Sequence, residues 1–129
     1  VLRQAHTLDL WSAAGEIARL GAAAREGRAL RDELRGSSIT VTSLGALGGI
    51  MSTPVLNHPE VAIVGVNKLA IRPVWSDGQF VPRPMMNLSS SFDHRIVDGW
   101  DAATFVQRIK RLLEQPALLF IDHHGAGDA

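Results

Sequence analysis

Two stretches of this sequence hold residue types whose spacing could carry chemistry. The first is Ser91-Phe92-Asp93-His94-Arg95-Ile96-Val97-Asp98-Gly99, which runs from a strand-like segment through a turn into a helical pattern. An unperturbed imidazole titrates at about pH 6.5, so a histidine at a strand end is the side chain best suited to move a proton at neutral pH. Asp98 is placed to hold the turn, by capping the helix or by pairing with an arginine. A purely structural reading is equally concrete. Asp-Gly before a helix is a common N-cap, Asp101 three residues on resembles a capping box, and a lone histidine beside it is commonly a satisfied structural residue.

The second stretch is Thr40-Val41-Thr42-Ser43-Leu44-Gly45-Ala46-Leu47-Gly48-Gly49, where hydroxyls end a strand and enter a glycine-rich loop. Hydroxyls there could donate to an oxyanion on a reacting carbonyl. The glycine spacing fits neither a phosphate-binding P-loop nor a dinucleotide fingerprint. Taken alone, the segment reads as a tight turn whose Ser and Thr cap backbone groups.

Periodicity supplies the elements that must position these groups. Thr7 to Arg25 has the helical period, with Leu10, Ala14, Ile17, Gly21 and Ala24 on one stripe, Thr7 as N-cap, Asp9 in the first turn and Gly27 as terminator. A short helical turn, Ala29 to Leu34, leads to the breaker Gly36. Arg25, Arg28, Arg31 and Arg35 are interleaved with Glu26, Asp32 and Glu33, a solvated face rather than a phosphate patch. Ser38 to Ser43 alternates as a strand, and Leu44 to Thr53 is a loop. Val61 to Val66 is a continuous apolar run, expected as a central buried strand. Asp77-Gly78 between Ala70–Trp75 and Gln79–Pro82 signals a hairpin. Met85 to Phe92 reads as one strand with Met86, Leu88, Ser90 and Phe92 on one face. Gly99 to Glu114 is a helix with Ala102, Phe105, Val106, Ile109, Leu112 and Leu113 as its apolar stripe. The order predicts an α/β class with a mixed sheet covered by helices on one side.

Composition narrows the function. With 13 basic and 13 acidic residues in 129 and no basic run, the chain lacks the footprint of a nucleic-acid binder. No apolar stretch approaches the roughly 20 residues that span a bilayer, so no membrane partner is expected. The absence of Cys removes disulfides, thiolate metal sites and a cysteine nucleophile, and fits a reducing compartment; the expected location is cytoplasmic. Asp122-His123-His124 falls short of the roughly four ligands of a closed metal site, so no metal is expected. His6 and His58 read as surface residues, and Trp11, Trp75 and Trp100 as packing or interface residues. Asn67-Lys68 follows the central strand, either as a phosphate contact or as a solvated strand end. Residues 123–129 are expected to form a flexible tail after a single domain over 1–122. Since Val1 is not a methionine, the chain is expected to begin inside a larger protein.

Taken together, three blocks carry a resemblance. Thr42-Ser43-Leu44-Gly45 with Gly48-Gly49, Pro54-Val55-Leu56-Asn57 with Pro59-Glu60-Val61-Ala62-Ile63, and His94 through Gly99 resemble the C-terminal half of the catalytic domain of the 2-oxo acid dehydrogenase acyltransferases. The likeness runs from about His6 to Asp122 and is nearest in wording to bacterial branched-chain members. It implies a chloramphenicol-acetyltransferase-like two-layer sandwich and a homotrimer with its active site at the subunit interface, with a larger cage as a further level of assembly. It also implies acyl transfer between dihydrolipoyl groups and coenzyme A, the lipoyl group standing on a separate domain absent from this chain. Decarboxylase and dihydrolipoamide dehydrogenase components are the implied partners. The catalytic set becomes His94 as general base, Asp98 as organiser of its loop and Thr42 as oxyanion donor, where the family carries a serine. Ser43 becomes a substrate-binding residue and the alternative donor. A same-fold O-acetyltransferase and a non-catalytic oligomeric scaffold are the rival readings. The lipoyl domain, the subunit-binding domain and the first half of the catalytic domain would lie upstream of Val1, so little activity is expected from these residues alone.

Overall fold

The computed structural model describes residues 1–121, which fall into two compact units, Val1–Ile39 and a second beginning at Thr40. The first unit contains helix α1, Leu10–Arg25, between single 3-10 turns at Ala5–Thr7 and Arg31–Leu34. Its cap is Asp9 rather than Thr7: the Asp9 carboxylate accepts the N–H groups of Trp11 and Ser12, both at 2.9 Å, and the Ser12 hydroxyl at 2.8 Å. A carboxylate can take three donors at once and complement the helix dipole, which a threonine hydroxyl cannot match. Glu33 is more than part of a solvated face. It accepts Arg19 Nη2 at 2.7 Å and the Leu30 N–H at 2.9 Å, tying the 31–34 turn to α1. The apolar stripe of α1 is left open, with Leu10 and Ile17 more than half exposed.

The second unit is built on strand β2, Ala62–Val66. It lies between β1 (Thr40–Ser43), which runs parallel to it, and β5 (Leu88–Phe92), which runs antiparallel. The mixed sheet and the central position of the apolar run are therefore as the sequence predicts. Ala62, Ile63 and Val64 form the buried apolar core among the described residues. A separate hairpin joins β3, Ala70–Ser76, to β4, Gln79–Met85, and both Asp77 (φ 52°) and Gly78 (φ 84°) are left-handed at its tip. That is the two-residue turn whose twist suits a hairpin. The expected strand from Met85 to Phe92 is broken: β4 ends at Met85 and β5 starts at Leu88. Asn87 serves the break, its carbonyl accepting the Asn67 N–H at 3.2 Å and its side-chain amide donating to Ile50 O at 2.8 Å.

Helix α2, Gly99–Glu114, packs against β5, where the rings of Phe92 and Phe105 meet edge to face at 6.2 Å. Of the expected stripe, Ala102, Val106, Ile109 and Leu112 are half-buried, while Phe105 and Leu113 stay largely exposed. On the opposite face of the sheet from Phe92, the 44–60 segment is fastened to β5. Ser89 Oγ accepts the Ser52 N–H at 3.1 Å, and Ser91 Oγ donates to Pro54 O at 2.6 Å. Gly65 makes this approach possible, since a Cβ there would stand 2.9 Å from Ser52 Oγ.

Two buried polar residues bracket β2. Before it, Glu60 accepts the Thr40 hydroxyl at 2.6 Å and the Asn57 amide at 2.9 Å. After it, Asn67 donates to Asn87 O at 3.0 Å and Ser89 Oγ at 2.8 Å. Asn67 is thus committed to the fold and is no phosphate contact; Lys68 beside it is exposed. Removing one partner of a buried polar group costs about 1–3 kcal/mol. Thr40→Val is expected to destabilise the complete catalytic core that carries this sequence by about that amount, read as a lower midpoint in urea unfolding.

Candidate active site

His94 stands on a turn that is held from both sides. The Asp93 N–H donates to Val61 O at 2.9 Å, extending the β2–β5 ladder by one step. The Asp93 carbonyl accepts the N–H groups of Ile96 and Val97, both at 3.0 Å. Its carboxylate accepts the Arg95 N–H at 3.1 Å and is gripped by the guanidinium, Nε to Oδ1 at 2.9 Å and Nη2 to Oδ2 at 2.6 Å. This grip holds the Asp93 carboxyl down at about 2, with the Arg95 side chain as the main cause and the Arg95 backbone N–H second. The Arg95 guanidinium is pushed up in turn. His94 itself is exposed, and its ring makes no hydrogen bond among the described residues.

Asp98 performs the capping role of the two that the sequence allows. Its carboxylate accepts the Asp101 N–H at 2.8 Å and starts α2. The arginine pairs with Asp93 instead, and among the described residues no hydrogen bond joins Asp98 to His94. Asp98 fixes where α2 begins.

The two hydroxyl candidates separate by strand alternation, which sends neighbours to opposite faces. Thr42 is half-buried and shares its face with Thr40, in register with Gly65 and, across β2, Ser89. Its hydroxyl makes no hydrogen bond among the described residues. Ser43 is exposed on the other face, and its oxygen accepts the Gly45 N–H at 3.2 Å. Ser43 thus caps the turn through a lone pair, and among the described residues both hydroxyls keep an O–H to donate.

The structure does not bring His94 and Thr42 together within one chain. Thr42 lies at the level of Ser89, whereas His94 follows Asp93, which pairs with Val61 beyond the other end of β2. Four residues at about 3.3 Å and two strand spacings of about 4.8 Å put them on the order of 16 Å apart. An open groove of about 670 Å³ lies elsewhere, between α2 and the 84–89 segment, and contains neither residue. His6, His58, Trp11, Trp75 and Trp100 are exposed; the Trp75 ring meets that of its hairpin neighbour Phe80 edge to face at 5.0 Å. Among the described residues no group of three or more metal-ligating side chains comes together, and no helix is long and apolar enough to cross a membrane. Asp122-His123-His124 and the 123–129 tail lie outside the described residues.

The Asp93–Arg95 clamp and the Glu60 node were not singled out from sequence. The signal available for the first was an acid and an arginine two apart around the histidine; for the second, an acid immediately before the most apolar run.

Residues 1–121 match the family described as 2-oxoacid dehydrogenases acyltransferase (catalytic domain). The lipoamide acyltransferase component of the branched-chain alpha-keto acid dehydrogenase complex of Pseudomonas putida is 66% identical over 122 residues, 95% of this chain and 29% of that protein. Its counterpart in Pseudomonas aeruginosa is 63% identical over 95% of this chain and 28% of that protein. Among solved structures, the dihydrolipoamide acetyltransferase of Azotobacter vinelandii superposes with a TM-score of 0.84 at 39% identity, covering 89% of this chain and 47% of that chain. The cubic core of the pyruvate dehydrogenase multienzyme complex gives 0.83 at 40% identity, over 88% and 47%. The chain thus spans under a third of its Pseudomonas relatives and about half of the solved cores.

The Asp93 clamp has a pH signature. A depressed carboxyl contributes stability above its unfolded value of about 3.9, and that contribution is lost as pH falls through the folded value. Carboxyl NMR of the complete core is expected to show Asp93 titrating at about 2, and Arg95→Gln to move it back up toward the ordinary carboxylate range.

Proposed function

The chain belongs to the 2-oxoacid dehydrogenase acyltransferases as part of their catalytic domain, and from that premise we propose that it supplies both halves of a thiol-to-thiol acyl-transfer site, each half to a different copy. Its α/β architecture is the chloramphenicol-acetyltransferase-like fold of the solved cores. One observation carries the proposal: the free imidazole and the free hydroxyl lie at opposite ends of the same sheet. A general base must come within about 2.6–3.2 Å of its proton, and an oxyanion donor within about 2.7–3.1 Å of the oxygen. Two groups on the order of 16 Å apart cannot both serve one thioester. A second copy turning its Thr42 end toward the His94 end satisfies both, and the homotrimer that the family resemblance implies is one closed ring of such contacts.

The chemistry follows from ordinary proton affinities. A thiol with a pKa of about 8.5 is only a few per cent thiolate at pH 7, so the acceptor thiol needs a base. His94 takes that proton as the sulfur attacks the thioester carbonyl. The carbonyl oxygen becomes an oxyanion, which the Thr42 hydroxyl of a neighbouring copy stabilises. When the tetrahedral centre collapses, the proton on His94 passes to the departing sulfur. Coenzyme A and a dihydrolipoyl arm are the two thiols, with a branched-chain acyl group between them. The Pseudomonas relatives, named as lipoamide acyltransferase components of branched-chain complexes, support that substrate class. They favour a thiol acceptor over an O-acetyltransferase reaction.

Further support comes from the Azotobacter acetyltransferase, whose crystallographic and enzymatic study concerned the role of a serine, a histidine and an asparagine in its mechanism. Its serine and histidine are as far apart in sequence as Thr42 and His94, and its asparagine follows the histidine at the distance of Asp98. Threonine keeps the donor while stiffening χ1. Thr42's half-burial on the face it shares with Ser89, against Ser43's exposure on the other face, supports Thr42 as the donor.

In the complete assembled core, His94→Ala is expected to lower kcat by about 10²–10⁴-fold without loss of assembly. Thr42→Val is expected to raise the barrier by about 2.7–4 kcal/mol. Unchanged turnover in either variant removes that residue's role, and unchanged turnover in both leaves the scaffold reading. The shared site has its own test in subunits mixed before assembly. Co-assembling His94→Ala and Thr42→Val subunits in equal amounts should recover about a quarter of wild-type turnover, the fraction of random ring contacts that join an intact His94 to an intact Thr42. No recovery would mean that both groups act from one chain.

A further inference from the structure

We propose that Asp93 is the positioning residue for His94: it holds the turn from both sides of the histidine and takes up the neighbouring guanidinium, so that the backbone carrying the imidazole is held while the ring makes no hydrogen bond among the described residues. The inference rests on the reading of His94 as the base, and assigns the holding of that base to a residue other than Asp98.

Asp93 uses its N–H, its carbonyl and both carboxylate oxygens, and every one of those bonds runs to a residue flanking His94 or to the start of β2. Upstream, the bond to Val61 O makes the base of the turn part of the sheet ladder. Downstream, the carbonyl closes the turn through Ile96 and Val97. Across the turn, the carboxylate fastens Arg95 by its backbone and by two guanidinium nitrogens. Asp98, by contrast, directs its side chain to the first turn of α2.

A base that must accept a proton from an incoming thiol gains nothing from a ring already hydrogen-bonded to its own chain. It does need its Cα held still, because a displacement of about 1 Å can cost about 10²-fold in rate. Neutralising Arg95 matters for the same reason. An unpaired guanidinium beside the ring would repel the imidazolium that forms during transfer, and the Asp93 carboxylate, largely shielded at 18% side-chain exposure, cancels that charge at contact distance. The remaining ionisable neighbours have other roles. His58 lies in the turn that Glu60 closes onto Asn57 and touches Asp93 through charge, Glu60 is bonded to Thr40 and Asn57, and Asp98 caps α2.

The test compares Asp93→Asn, which keeps an oxygen for the Arg95 N–H but loses the charged grip, with Asp93→Ala, which loses both. In the complete assembled core, kcat is expected to fall about tenfold for Asn and about 10²-fold for Ala, with KM for coenzyme A within about twofold of wild type. Amide hydrogen exchange at residues 95–97 should quicken in the same order, while assembly size and the exchange of β2 amides stay unchanged. Wild-type kcat in both variants, or a loss shared equally with KM, overturns the proposal. So does exchange at 95–97 that does not change. Should Asp93→Ala fail to assemble, Asp93→Asn decides by the same criteria. The His94→Ala control separates the two ideas. Turnover surviving in His94→Ala defeats the base assignment whatever Asp93 does, and the exchange rates at 95–97 then judge the holding of the turn by themselves.

Discussion

The second unit depends on one arrangement, a short apolar strand paired on both edges and locked at both ends. β2 places its buried core between β1 and β5, and backbone pairing on both sides satisfies its amides without water. Side chains with no hydrogen-bonding capacity cannot set where such a strand starts and stops. Glu60 and Asn67 do so, each buried and each tied to elements distant in sequence: Glu60 to β1 through Thr40, and Asn67 to the start of β5 through Asn87 and Ser89. With the strand fixed in length and register, the position of everything bonded to its ends follows.

The geometry of the site is a consequence. The His94 turn grows from the entry end of β2 through Val61, while Thr42 sits toward the exit end, opposite Gly65. Parallel pairing of β1 with β2 and antiparallel pairing of β5 with β2 make this separation unavoidable. Across β2, the end of β1 is level with the beginning of β5, and the end of β5 pairs with the beginning of β2. Within one chain the two groups therefore stand apart, each at its own end of the sheet.

The apolar surface is consistent with that picture. Val41 in β1, Leu47 in the glycine-rich loop and Val55 beyond it are all more than two-thirds exposed, and both outer strands of the sheet present open edges. Open strand edges and large exposed apolar side chains are places where further protein can pair and pack. It accords with a chain that spans about half the length of the solved cores it resembles.

Local chemistry is legible from the sequence wherever it acts within a few residues. The helical period and the Asp98 cap located α2 from Gly99 to Glu114, Asp77-Gly78 dictated the hairpin because both positions need positive φ, and the unbroken apolar run marked β2 as central. As candidates, His94 was legible as an imidazole at a strand end, whereas spacing alone left several hydroxyls before the glycine-rich loop and only the family resemblance singled out Thr42. What only the tertiary structure decided are the partnerships between residues far apart in the chain. Strand pairing brought Thr40 to Glu60 and Asn67 to Ser89, broke the expected strand at Asn87, and set the imidazole and the hydroxyl at opposite ends of one sheet. The physical reason is that periodicity and capping are properties of a segment, whereas register and buried hydrogen bonds are chosen by which segments meet, and no single segment encodes its partner.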